Sequence, residues 1–209
     1  LLESGEIPPA LFVLHPRRED PIGENTIHIG EPLNPAQLQE YAERLGEEHR
    51  LNTKPLRDAI LLKRLERVRK YVQEICLSLS EALHLQQGVP PTAEWLLDNE
   101  YILESAARDV LLNLPRHFYR QLPSLVNEPD RGMPRTYSIA RELASHTDLR
   151  IDEENILAFI DSYQTAKPLS IGELWVVPQM LRMVLLEEIG QIAGRALTEL
   201  REREIADFW

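Results

Sequence analysis

Residues 167–203 read KPLSIGELWVVPQMLRMVLLEEIGQIAGRALTELRER. The stretch opens on a helix start signal. Lys167-Pro168 closes what precedes it, Ser170 can cap, and Glu173 three residues later can reach back to complete a capping box. Beyond the cap, Leu174, Trp175, Val177, Met180, Leu181, Val184, Leu185, Ile189, Ile192, Ala196 and Leu200 recur at spacings of three and four. Between Leu174 and Leu186 they cover more than one side, the pattern of a buried helix. Pro178 inside it removes one i to i−4 hydrogen bond and predicts a kink. The stretch is therefore expected to be the long helix around which a helical bundle is built.

Working outward, the same periodicity recurs. Asn34-Pro35 is a cap and first-turn pair, and Leu38, Tyr41, Ala42 and Leu45 mark one face up to about Arg50. Thr53 with Pro55 is read as the next start, and Leu61, Leu65, Val68, Val72, Ile75, Leu79 and Ala82 then alternate steps of four and three, a narrow stripe that wants a partner helix in this chain or in a second copy. After Gly88 and Pro90-Pro91, Thr92 is read as the cap of a helix carrying Trp95, Leu96, Ile102, Leu103 and Val110, which breaks at Leu114-Pro115. A turn over residues 116–123 and a loop over 127–134 lead to helices over 136–146 and from Asp152 onward. Residues 1–33 hold Pro8-Pro9, Pro16, Pro21, Gly23, Gly30 and Pro32, too dense for long helices, and are read as an extended arm anchored by Phe12 and Val13. The expectation is an all-α multi-helix bundle around a long C-terminal helix, with an arm over 1–33 and a helical domain over 34–209. Leu1 in place of an initiator Met and a helical pattern still running at Trp209 suggest a piece of a longer protein.

Composition narrows the function classes. A chain of 209 residues with 43% hydrophobic and 27% charged residues suits a soluble globular domain. Its formal charge of −11 argues against nucleic acid as a partner. One cysteine, Cys76, excludes an internal disulfide and a CxxC site. No uncharged run approaches the roughly 20 apolar residues of a membrane span.

The reactive motifs are missing. Glycines scattered singly form neither GxGxxG nor a P-loop. Asp98 and Glu100 stand two apart on a helix and diverge, so they cannot chelate one metal. The six histidines show no zinc spacing. Asp98, Glu142, Asp148 and Glu173 are the carboxylates that an acid/base enzyme would have to use, and caps or ion pairs are their other reading. No cofactor and no catalytic residue is assigned.

Two groupings stand above background. Residues 50–70 carry eight basic side chains, including Arg64, Arg67, Arg69 and Lys70, against Asp58 and Glu66. Such a face suits anionic lipid headgroups; a solvated helix face is the plainer reading. The second grouping is Trp95, Tyr101, Arg116, His117, Tyr119, Arg120, Arg135 and Tyr137, of which Trp95, Tyr101, Arg116, Tyr119, Arg120, Arg135 and Tyr137 are the candidate carbohydrate contacts. Aromatic faces with planar hydrogen-bonding groups hold sugars, and core packing with ion pairing explains the same residues.

Several blocks resemble, in order, the N-terminal region of the cyclic β-1,2-glucan synthases, very large bacterial inner-membrane glycosyltransferases. They are EWLLDNEYIL at 94–103, LPRHFYRQLP at 114–123, Pro134-Arg135 with Tyr137, ELASHTD at 142–148, and PLSIGELW at 168–175 followed by Pro178 and Met180-Leu181-Arg182. The resemblance spans roughly residues 53–205. It implies a parent that polymerises glucose from UDP-glucose through a protein-linked intermediate and then trims and cyclises the glucan. It also implies that the transferase and phosphorylase-like parts and the membrane spans lie beyond Trp209. This chain would then be a non-catalytic scaffolding or regulatory domain on the cytoplasmic face of the inner membrane, packed on the rest of its own polypeptide. A module guiding nascent β-glucan is the alternative.

Overall fold

The computed structural model describes residues 30–52, 54, 59–84 and 88–208. The expected arm over 1–33, with Phe12 and Val13, lies almost wholly outside them, as does the expected start at Thr53-Pro55. Among the described residues the fold is all-α. Seven helices run in order: α1 (Pro35–Glu48), α2 (Ile60–His84), α3 (Pro91–Asn113), α4 (Arg116–Tyr119), α5 (Arg135–His146), α6 (Glu153–Ala166) and α7 (Ile171–Phe208). The sheet is minimal, β1 (Leu51–Asn52) antiparallel to β2 (Ser124–Leu125), with Leu51 opposite Leu125 and Asn52 opposite Ser124. Two-residue strands carry no readable alternation, so nothing in the residues announces them.

Contacts divide the chain into two compact units. Unit A takes its described residues from 30–63 and 108–185, and unit B from 64–107 and 186–208. The chain passes between the units within α2, α3 and α7.

In unit A the helix starts are built as the residues dictate. The Asn34 side chain accepts from Gln37 N at 3.0 Å and Gln37 Oε1 accepts from Asn34 N at 3.1 Å, a complete capping box with Pro35 in the first turn. Asp152 accepts from Asn155 N at 2.8 Å and Glu153 and Glu154 occupy the first turn of α6, where the helix dipole favours them. α1 packs on α6 so closely that a Cβ added to Gly46 would lie 2.9 Å from the Tyr163 carbonyl. Leu38, Ala42, Phe159, Ile160 and Tyr163 are buried there, and Ile139, Ala140, Leu143 and Ala144 form the inward face of α5. After α5 the chain turns through positive φ at Asp148 and Leu149, a conformation that costs about 1 kcal/mol or more at a non-glycine residue.

In unit B the stripe from Leu65 to Ala82 on α2 is buried throughout, as is Leu61 just before the unit begins, so the chain's own atoms cover it. The C-terminal part of α7 buries Leu186, Ala193, Ala196, Leu197 and Leu200. Cys76 is buried, and burial, with the Glu100 charge adding, pushes its thiol up to about 12, which suits a small hydrophobe rather than a nucleophile.

Two local readings change. α3 begins at Pro91, with Ala93 N and Glu94 N donating to the Pro90 carbonyl at 2.8 and 3.2 Å. Thr92 is thus inside the helix rather than its cap, because a proline at the first position is already preset for helical φ and has no N–H to satisfy. In α7, Val176, Val177, Met180, Leu181, Met183 and Val184 are buried, but Leu174 is 38% exposed and Trp175 79%. Periodicity counted both as core residues; at a helix start, neighbours reach only one side of the first turns, so part of an apolar run can face solvent.

Candidate functional site

The densest arrangement of polar groups in unit A surrounds the start of α7. Glu173 Oε2 accepts from Ser170 N at 3.0 Å and from Ser170 Oγ at 2.8 Å, and Ser170 Oγ stands 3.3 Å from Glu173 N. The capping box read from the sequence is therefore formed. Glu173 does more than cap. Arg135, at the start of α5, grips it through Nε and through Nη2 to Oε2 at 2.8 Å, and Nη2 also donates to the Pro168 carbonyl at 2.9 Å. Arg135 is 4% exposed and Glu173 2%. Burial opposes the charge on each; the hydrogen bonds between them outweigh it, so the arginine stays above its ordinary value and the carboxyl below its own. This is a bidentate, fully ionised pair.

Beside it, His49 Nδ1 lies 2.9 Å from the Tyr163 hydroxyl and His49 Nε2 3.5 Å from Ser138 Oγ. The order serine, histidine, tyrosine resembles a nucleophilic relay, yet all three are buried and the third member is no carboxylate. Burial holds the His49 pKa down to about 4 and pushes Tyr163 up. A buried, neutral imidazole held between a phenol and a serine hydroxyl serves as a polar linchpin of the core rather than as a base. Lys167 Nζ donates to the His49 carbonyl just past the C-terminus of α1, where the helix dipole favours a cation.

A second chain of groups runs along α5. Arg141 donates to Asp130 from Nη1 and to Glu142 Oε1 from Nη2 at 2.7 Å, and the Tyr41 hydroxyl donates to Glu142 Oε2 at 2.6 Å. Burial, then the Glu142 hydrogen bond, pushes the Tyr41 phenol well above its ordinary value. Tyr41, Gln37, Glu40, Arg44, Glu31 and His146 border an open recess of about 380 Å³. His146 lies 4.4 Å from the Tyr41 ring centroid and the Arg44 guanidinium 5.4 Å from it, so the ring already has neighbours where a sugar would stack.

The candidate carbohydrate contacts separate. Trp95 and Tyr101, on α3 in unit B, are 51% and 72% exposed. Arg116, Tyr119, Arg120, Arg135 and Tyr137 are in unit A, where Arg116 and Arg120 are exposed and the other three buried. Tyr119 is 0% exposed, its hydroxyl 3.5 Å from Leu61 N, and burial pushes its phenol up to about 12. Tyr119, Arg135 and Tyr137 are thus core side chains, and the surface aromatics are Trp95 and Tyr101.

The four singled-out carboxylates lie apart in role. Asp98 is exposed on α3, Asp148 sits in the positive-φ turn, Glu142 is held by Arg141 and Tyr41, and Glu173 by Arg135 and Ser170. Among the described residues no three His, Cys, Asp or Glu side chains are grouped to hold a metal. Of the basic residues over 50–70, Arg64 is buried with Nε 2.9 Å from Glu187 Oε1, and Arg69 is paired with Glu66 and Glu104. Among the described residues no helix is long and apolar enough to cross a membrane.

No residue pattern announces the His49–Tyr163–Ser138 contact or the Asp130–Arg141–Glu142–Tyr41 chain. Apart from the adjacent Arg141 and Glu142, their bonded members lie 11 to 114 residues apart, so no spacing rule could join them.

No family model matches this chain. Among curated proteins, the cyclic beta-(1,2)-glucan synthase NdvB of Rhizobium meliloti (strain 1021) is 42% identical over 108 residues. The match takes in 52% of this chain and 4% of the length of that relative. The chain is thus similar to a small part of a cyclic β-(1,2)-glucan synthase.

Proposed function

We propose that this chain is a helical, non-catalytic part of a cyclic β-(1,2)-glucan synthase, acting as a scaffold beside the domain that transfers glucose from UDP-glucose. The observation that carries the reading is the 42% identity to such a synthase. The polar groups of unit A support it. Arg135, Glu173, His49 and Tyr163 are buried and engaged with one another or with helix ends, which is how structural rather than reacting groups are held. The partner is the rest of its own polypeptide, and the parent works at the cytoplasmic face of the bacterial inner membrane. The test is transfer of radiolabelled glucose from UDP-glucose by the isolated chain. No incorporation is expected; incorporation into a glucan would overturn the reading.

One observation favours a second role, guidance of nascent β-1,2-glucan. Trp95 and Tyr101 both stand exposed on α3. Calorimetric titration with linear β-1,2-glucan oligosaccharides, against a β-1,4 series, decides it. Selective saturable heat that disappears in Trp95→Ala would support guidance, and no heat at millimolar ligand would remove it.

A further inference from the structure

The exposed side of the first three turns of α7 has a composition unlike the rest of this acidic chain. Ile171 and Trp175 are each 79% exposed, Leu174 is 38% exposed, and Pro178 and Arg182 are exposed as well. At 3.6 residues per turn these five positions fall within about 60° of one line along the helix. No acidic side chain occupies that line, and the nearest in sequence, Glu173, is turned inward onto Arg135. α4 lies against this end of the helix, because a Cβ added to Gly172 would sit 3.5 Å from the Phe118 ring. On either side of Phe118, Arg116, His117 and Arg120 are exposed. Three protruding apolar side chains thus share the α4–α7 end of unit A with the exposed cations Arg116, Arg120 and Arg182, in a chain whose formal charge is −11.

We propose that this face is a membrane-interface anchor that seats on an anionic lipid surface. The apolar side chains project outward instead of lining a groove, which suits a soft bilayer boundary better than a preformed protein pocket. Tryptophan favours the level between headgroups and acyl chains, where its ring is buried and its N–H stays wet. Arginine guanidiniums bind lipid phosphates in pairs of hydrogen bonds. One apolar anchor alone gives marginal attachment, and a basic border supplies the second signal that makes it useful. The acidic remainder of the chain orients the contact: only a basic face can approach a negative surface, and repulsion from charges more than about 8–10 Å away is screened by physiological salt.

The proposal locates the lipid contact on α7 and α4 rather than on the basic stretch 50–70, where Arg64 and Arg69 are engaged in ion pairs. The test is co-sedimentation of the whole chain with vesicles of equal parts phosphatidylglycerol and phosphatidylcholine, and with phosphatidylcholine alone. Binding to the anionic vesicles is expected, with release at about 0.5 M salt and a blue shift of tryptophan emission that Trp175→Phe removes. Ile171→Ala with Trp175→Ala should lower the bound fraction about tenfold, and glutamate at Arg116, Arg120 and Arg182 should abolish binding. Both variants should melt as the parent does, since they alter exposed side chains. No binding to anionic vesicles, equal binding to both vesicle types, or retention by either variant would overturn the proposal. So would self-association lost in Trp175→Ala without vesicle binding, which would give the face to a second copy. Loss of binding only when Lys63, Arg67 and Lys70 are substituted would return the contact to α2.

Discussion

Units A and B solve the same problem, burying helices, by different means. Unit A ties its helix ends together with charged and polar side chains: Arg135 on α5 holds the cap of α7, His49 beyond α1 meets Tyr163 of α6, and Lys167 closes the end of α1. Unit B relies chiefly on the long apolar stripe of α2 and on small and branched residues late in α7, with Arg64–Glu187, Arg69–Glu66, Arg69–Glu104 and Arg195–Glu188 among its ion pairs. The two should therefore fail differently. Polar ties are specific and intolerant of losing one partner, whereas an apolar stripe degrades by increments.

The largest effect expected is from Arg135→Ala. It leaves Glu173 buried without its counter-charge and the Pro168 carbonyl without a donor, so thermal or denaturant unfolding should show a loss of about 3–5 kcal/mol. Leu65→Ala in unit B should cost about 2–5 kcal/mol by cavity formation. If unit A and unit B melt separately, each variant should lower one transition and spare the other; a common shift would mean that the two unfold together.

Acid should act next. His49 has a pKa of about 4 in the folded chain against about 6.5 when unfolded, so between those values only the unfolded state binds the proton. The stabilising contribution is whole above pH 6.5 and is lost as pH falls towards 4, by about 3 kcal/mol in all. The slope of stability against pH across that window should flatten in His49→Gln. Glu173, whose pKa is depressed, adds a loss at lower pH, below its unfolded value.

Gly46→Ala is a smaller and sharper probe of unit A. Alanine normally strengthens a helix by up to about 1 kcal/mol, but here its Cβ would meet the Tyr163 backbone carbonyl at 2.9 Å, so a net loss of about 1–3 kcal/mol is expected. The smallest effect belongs to Tyr101→Ala, within about 0.5 kcal/mol, because the side chain stands in solvent.

The same contrast explains what the sequence revealed. Helix starts with local caps were readable, since Asn34 with Gln37, Asp152 with Asn155 and Ser170 with Glu173 each lie within three residues. The α2 stripe was readable because burial follows helical period, and the structure buries every member from Leu61 to Ala82. What periodicity could not tell was which apolar residues a neighbour would cover; Trp175 and Val177 look alike in the sequence, and one is exposed while the other is buried. Nor could it foresee that Arg135, placed beside the aromatics as a sugar contact, would face inward to a glutamate 38 residues on.

If the buried polar groups of unit A hold structure and do not react, glucan output from a full-length cyclic β-(1,2)-glucan synthase carrying this segment should survive their replacement. Arg135→Met with Glu173→Met replaces the pair by apolar side chains of similar size, a change that a structural ion pair often tolerates. A stably produced enzyme that still makes cyclic glucan is expected. An enzyme equally abundant and equally folded, yet unable to make glucan, would contradict it.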